Sequence, residues 1–124
     1  MTRGHPPYVA IGEAQSLEAS RGCLVLAVST AGIILPFDFV IYDQGRISLV
    51  RVRRLRYAGY EVADIEVSCR KEIEALRAIS VGPEISRQLH VRGPDRNWHR
   101  YLVLPDSVEE IGKEGGRCGE RIIG

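Results

Sequence analysis

Residues 36–54, Pro-Phe-Asp-Phe-Val-Ile-Tyr-Asp-Gln-Gly-Arg-Ile-Ser-Leu-Val-Arg-Val-Arg-Arg, constrain the fold more than any other stretch. Two apolar runs, 37–42 and 47–52, flank Asp43-Gln44-Gly45-Arg46. Aromatic and β-branched residues favour an extended, half-buried backbone, and a glycine-containing break of this length marks a hairpin turn. The first run opens on an acid, Asp38, between two phenylalanines; the second ends in alternation through Val50, Arg51, Val52 and Arg53. The start of one strand lies beside the end of its antiparallel partner, so Asp38 is expected close to Arg51 and Arg53. This is either an ion-paired structural hairpin or the remains of a metal site, and the residues alone leave both open.

The flanking segments complete an α+β chain. Gly4, Pro6 and Pro7 make residues 1–7 a flexible arm. Residues 8–21 form a helix with a loose apolar stripe through Val9, Ala10, Ala14 and Leu17, ended by Gly22. Residues 23–29 are almost continuously apolar, which predicts a strand covered on both faces, and Ala31-Gly32 turns the chain into the central hairpin. Ala63, Ile65 and Val67 alternate with Asp64 and Glu66, predicting a strand over 61–67. Ser68 is a candidate N-cap for a helix at 69–79, with Ile73, Leu76 and Ile79 as its stripe and Arg70 and Glu74 as a surface pair. Leu89 and Val91 alternate with polar neighbours, Gly93-Pro94-Asp95 turns, and residues 98–104 return as a strand. Ser107 to Glu110 matches a capping box for a short final helix. One domain is expected at 8–111, with a loose glycine-rich tail at 112–124.

Composition excludes several classes. The chain has 124 residues, enough for one core, and a formal charge of +1, so a nucleic-acid site has to come from local clustering. No apolar run is long enough to cross a bilayer as a helix, no membrane partner is expected, and the N-terminus lacks the apolar core of a signal peptide; the cytoplasm is the expected compartment. Cys23, Cys69 and Cys118 are widely spaced, which argues against a disulfide framework and a zinc ribbon; Cys23 and Cys69 are expected to pack as small hydrophobes. His90 and His99 are expected to face each other across the second hairpin as an exposed polar pair, and Trp98 and Tyr101 to serve packing.

The segment Pro36-Phe37-Asp38 followed by a hairpin and Arg51-Val52-Arg53 resembles the core hairpin of the PD-(D/E)xK nuclease superfamily, which includes restriction endonucleases and archaeal Holliday-junction resolvases. The order and spacing of residues 8–80 fit it. In that family a strand begins with Asp, usually after Pro, and the next strand carries Glu or Gln, one spacer and Lys. The resemblance implies a restriction-endonuclease-like mixed sheet flanked by helices, in the order helix, three-strand meander, strand, helix, hairpin. It implies a metal site, normally for Mg²⁺, with Asp38 as metal ligand, Glu13 as the acid of the first helix and Arg53 in place of the lysine. It also implies a symmetric homodimer. Asp38 matches the family. Arg51 departs from it, because a guanidinium cannot bind Mg²⁺ and stays charged at any working pH. With ε near 20, two like unit charges ~4 Å apart repel by ~4 kcal/mol, and a divalent ion doubles that. No resident metal is therefore expected.

Arg46, Arg51, Arg53, Arg54 and Arg56 form the densest basic cluster, next to Tyr57 and Tyr60. Arginine binds phosphates bidentately and aromatic rings stack on unpaired bases. Three functions follow. The first is a nuclease-like domain that binds DNA without cutting it, through Arg51, Arg53, Arg54 and Arg56, with Glu13, Asp38 and Arg53 as vestiges of a catalytic set. The second is an active Mg²⁺-dependent endonuclease or resolvase in which Asp43, Asp64 or Glu66 has taken over the missing acid's role. The third is a protein-interaction domain whose arginines only pair with Asp38, Asp64 and Glu66.

Overall fold

The computed structural model describes residues 8–27 and 35–113; the expected arm at 1–7, the Ala31-Gly32 turn and all of the tail beyond residue 113 lie outside them. The chain runs α1 (Tyr8–Ser20), β1 (Leu24–Ala27), β2 (Phe39–Asp43), β3 (Arg46–Arg54), α2 (Val62–Ser68), α3 (Arg70–Arg77), β4 (Ile85–Arg92), β5 (Trp98–Val103) and β6 (Val108–Lys113). The strands form a six-stranded mixed sheet in sequence order, and the architecture is α+β. All neighbours are antiparallel except β3 and β4, which the α2–α3 crossover makes parallel. The central hairpin turns on Gln44 and Gly45, both at positive φ (55° and 82°), closed by Asp43 opposite Arg46. Two positive-φ residues match the right-handed twist of the flanking strands.

The pleat of β3 assigns its side chains. Val50 and Val52 lie beside Gln88 and His90, whereas Arg51 and Arg53 lie beside Leu89 and Val91. On the first face α1 packs Ala10 and Ala14 against Phe39, Ile41, Val50, Val52 and Trp98. On the second, Ile65, Cys69, Ile73 and Leu76 pack against Leu89, Val91, Tyr101 and Val103. Two arginines fasten α3 there. Arg77 donates to the carbonyls of Leu104 (2.8 Å) and Ser107 (3.0 Å), and Arg87 donates to those of Leu76, Arg77 and Ile79 at the C-terminal end of the helix.

Several expectations are corrected. Residues 61–67 are not a strand but supply α2, because Ile65, Cys69 and Ile73 recur every four residues and one apolar stripe runs through both helices; Val67 is 79% exposed. Ser68 does not cap α3. Its hydroxyl donates to the Asp64 carbonyl (3.0 Å), and Cys69 occupies the N-cap position. The surface pair Arg70–Glu74 is present at 3.3 Å. Residues 107–110 are not helical. From Val108 they form the start of β6, which satisfies the outer backbone edge of β5 and continues two residues past the expected end of the domain at 111. His90 and His99 do not face each other. Arg92 opposite Trp98 sets a register in which His90 meets Arg100 and His99 meets Val91, so the two rings lie on opposite faces. β1 is covered on one face only, since Leu24 and Leu26 are exposed. Cys69 is a free, fully buried thiol, whereas Cys23, also buried, is disulfide-bonded and so does not pack as a free small hydrophobe. No described helix is long and apolar enough to cross a membrane.

Candidate functional site

Asp38 sits at the entry to β2 and is held by the backbone of β3. Its N–H donates to the Val50 carbonyl (2.6 Å), and its Oδ2 accepts the Val52 N–H (2.7 Å). Oδ1 lies 3.8 Å from Arg51 Nη1, which also donates to the Leu35 carbonyl (3.2 Å). One pleat further along, Arg53 Nη1 donates to Glu72 Oε2 at 2.9 Å. Glu72 belongs to the first turn of α3, and its other oxygen, Oε1, is buried with no hydrogen-bond partner. Two acids and two guanidiniums thus alternate where β2, β3 and α3 meet, with the Cys69 thiol beside them.

Burial pushes the Asp38 carboxyl above its ordinary value; the Val52 N–H and then Arg51 oppose that shift, and Glu72 adds to it. Burial also pushes up the Cys69 thiol, against a hydrogen bond from Ser68 and the charge of Arg53. Neither group is set up as a reactive anion.

The donor set does not fit a divalent cation. Hard cations take several carboxylate or carbonyl oxygens. Here Asp38 Oδ2 is used by a backbone N–H, Oδ1 faces Arg51, and Glu72 Oε2 is used by Arg53, which leaves Glu72 Oε1 as a single carboxylate oxygen without a partner, too few for a cation. Among the described residues no group of three or more His, Cys, Asp or Glu side chains is placed to hold a metal.

Glu13 does not join this cluster. It stands on α1, on the other face of the sheet, ion-paired with Arg92, whose guanidinium lies 5.7 Å from the Trp98 ring centre. The second acid of α1, Glu18, is buried on that face against Arg21 (2.5 Å), with Arg100 Nη1 at 3.8 Å and His90 Nδ1 at 4.0 Å. Burial, then the charges of Arg100 and Arg21, hold His90 well below the ordinary imidazole value. The neutral ring engages the Gln88 side chain (2.8 Å), which reaches Ser48 (3.1 Å) and through it Ser86 (2.6 Å).

Of the acids considered as replacements, Asp43 lies at the hairpin tip and Asp64 and Glu66 on α2. The acid that does meet the cluster is Glu72, which the sequence reading missed. A signal existed: Glu72 is three residues after Cys69 and four before Leu76, both on the buried stripe of the helix pair.

The basic cluster divides. Arg51 and Arg53 are half-buried and paired, while Arg46 is at the distant hairpin tip. Arg54 and Arg56 are exposed, and among the described residues neither makes an ion pair within 4 Å. With Arg53, Tyr57, Asp64 and Ser68 they line an open hollow of about 560 Å³ where β3 leads to α2; Tyr57 is 78% exposed.

No protein-family description matches the chain, and no curated protein matches it. Among solved structures it is similar to Hjc, a Holliday junction resolvase from the archaeal hyperthermophile Archaeoglobus fulgidus, with a TM-score of 0.54 and 17% identity over 82% of each chain. The six-stranded mixed sheet with its three helices therefore has the fold of a Holliday-junction resolvase, the restriction-endonuclease-like fold.

Proposed function

We propose that the chain is a nuclease-like domain that binds DNA and does not cleave it. The observation that carries this reading is the internal neutralisation of the cluster: Arg51 stands against Asp38, and Arg53 bonds Glu72. A guanidinium stands against each acid that a cation would need, and its charge repels one. The DNA-facing surface in this proposal is Arg54 and Arg56 with Tyr57 around the hollow at the end of β3, while Arg51 and Arg53 serve the cluster first. The similarity to a Holliday junction resolvase makes branched DNA the first substrate to try.

The test is a binding and cleavage assay on branched, nicked and single-stranded DNA with Mg²⁺ or Mn²⁺. Binding is expected to weaken with salt at a slope near −0.9 per phosphate contact on duplex. Replacing Arg54 and Arg56 by Ala should lower affinity and remove about two contacts from that slope. No cleavage is expected. Cleavage that tracks the purified protein and is lost in Asp38→Ala would favour the second reading, an endonuclease in which Glu72, across the cluster from Asp38, has taken over the missing acid's role. Failure to bind at low salt would leave the interaction-domain reading in front.

A further inference from the structure

The hollow where β3 leads to α2 is lined by charges of both signs that do not meet. The end of β3 and the segment after it contribute Arg54, Arg56 and Tyr57, and α2 contributes Asp64, Val67 and Ser68. Those last three stand at i, i+3 and i+4 and so share one face of the helix. Gly59, at φ 138°, turns the chain back onto that helix; a Cβ there would stand 3.5 Å from that of Asp64. Among the described residues Arg54, Arg56 and Asp64 make no ion pair within 4 Å, with one another or with any other side chain. Tyr57 and Val67 are 78% and 79% exposed. Two unused guanidiniums, one unused carboxylate and an aromatic ring beside an aliphatic side chain thus line a single concavity.

We propose that this hollow seats one unpaired nucleotide of a DNA strand, with guanine as its preferred base; the assignment rests on the DNA-binding function above and names what that site reads. Arg54 and Arg56 take the phosphates on either side of the nucleotide. The Tyr57 ring, with Val67, supplies the platform for the base. A duplex keeps its base faces in its own stack, so only a base that has left the stack can use such a platform. The volume of about 560 Å³ lies within the roughly 300–1,000 Å³ of small-molecule sites, the scale of one nucleotide and not of a duplex. The base preference follows from Asp64. On a surface that only held phosphates this acid would be a cost, because it repels them. A base edge uses it. An ionised carboxylate only accepts, and its two oxygens accept two parallel bonds. Guanine presents two adjacent donors, N1–H and the N2 amino group, on one edge. Adenine and cytosine set one amino donor beside an accepting ring nitrogen, and thymine sets its N3–H between two carbonyls. Each of these turns a lone pair towards the second carboxylate oxygen. Ser68 does not compete for the acid, since its hydroxyl donates to the Asp64 main-chain carbonyl (3.0 Å).

Fluorescence anisotropy at one low salt concentration, without divalent metal, tests it on the full chain. A labelled, fully paired duplex is compared with versions carrying a single extra unpaired guanine, adenine, cytosine or thymine. The unpaired versions should bind more tightly than the paired duplex, by about 10-fold from stacking. Guanine should lead the other three bases by about another 10-fold. Tyr57→Ala should bring the unpaired duplexes to the level of the paired one. Asp64→Asn puts a donor in place of one acceptor and removes a negative charge. It should abolish the lead of guanine while binding of the other duplexes rises, whereas a merely structural Asp64 would lower them all together. Both side chains are exposed, and circular dichroism checks that each variant is folded. Equal affinity for the four bases, a guanine preference that Asp64→Asn leaves intact, or an unpaired-base advantage that survives Tyr57→Ala overturns the nucleotide site and leaves DNA binding standing. No binding to any of the duplexes overturns both.

Discussion

His90 is nearly fully buried between Arg21, Arg100 and Glu18, with its Nε2 on Gln88. Its pKa is depressed in the folded state, so the sign of the linkage is fixed. Above the ordinary imidazole value of 6.5 the ring is neutral in both states and contributes no pH dependence. Below it the unfolded chain takes up a proton that the folded chain refuses, and stability falls as pH falls, by at most about 1.4 kcal/mol per pH unit. His90→Gln keeps an N–H donor for Gln88 and does not titrate. We expect it to cost roughly 1–2 kcal/mol at pH 8 through imperfect packing and to flatten the stability curve from pH 6.5 downward. Urea unfolding of both proteins between pH 5 and 8 checks this. Asp38 acts with the opposite sign at lower pH. Its raised pKa means that stability is lost as pH rises from 3.8 towards its folded value.

At the scale of elements, the β4–β5 hairpin is tied to the start of the α2–α3 crossover by Tyr60. Its ring stacks on His99 at 3.8 Å, and its carbonyl accepts a bond from the Tyr101 hydroxyl. His99 in turn engages Asp95 at 2.9 Å, and the Asp95 side chain accepts the Asn97 N–H in the turn (3.0 Å). Gly93 leaves room for this arrangement. A Cβ there would stand 1.9 Å from the Tyr60 hydroxyl and 2.3 Å from its ring. Gly93→Ala should therefore displace Tyr60 from His99 and cost about 1–3 kcal/mol. Combined with Tyr60→Ala, which removes the obstructing ring, it should add far less. A double-mutant cycle by thermal unfolding reads that coupling, and fully additive costs would show that the two residues do not meet.

For the whole molecule, the parallel β3–β4 pair is the junction between two antiparallel halves. It carries packed core on both faces, beneath α1 through Val50 and Val52 and beneath α3 through Leu89 and Val91. Among the described residues, β1 is an outer strand of the sheet with Leu24 and Leu26 exposed. Protection follows burial and pairing. Native-state hydrogen exchange should find the slowest amides at Val50, Val52, Leu89 and Val91 and much faster ones at β1 positions. Equal protection across β1 and β3 would contradict this architecture.

The central hairpin was legible in the sequence, and so were α1, the second helix of the crossover and the β4–β5 hairpin. Each is encoded by neighbours: a Gln-Gly turn at positive φ, an apolar run of the right period, a glycine at a helix end. The approach of Asp38 to Arg51 was legible for the same reason, since one turn sets that register. Tertiary structure decided the rest. Residues 61–67 carry a period-two pattern and half of a period-four pattern, and only the sheet surface they land on selected the helix. Residues 108–113 became a strand because β5 had an open backbone edge to satisfy. Glu72 reaches Arg53 across 19 residues of crossover, a distance over which local pattern carries no information. Whether Arg53 was a free cation or an ion-pair partner depended on that contact, and so did the character of the site.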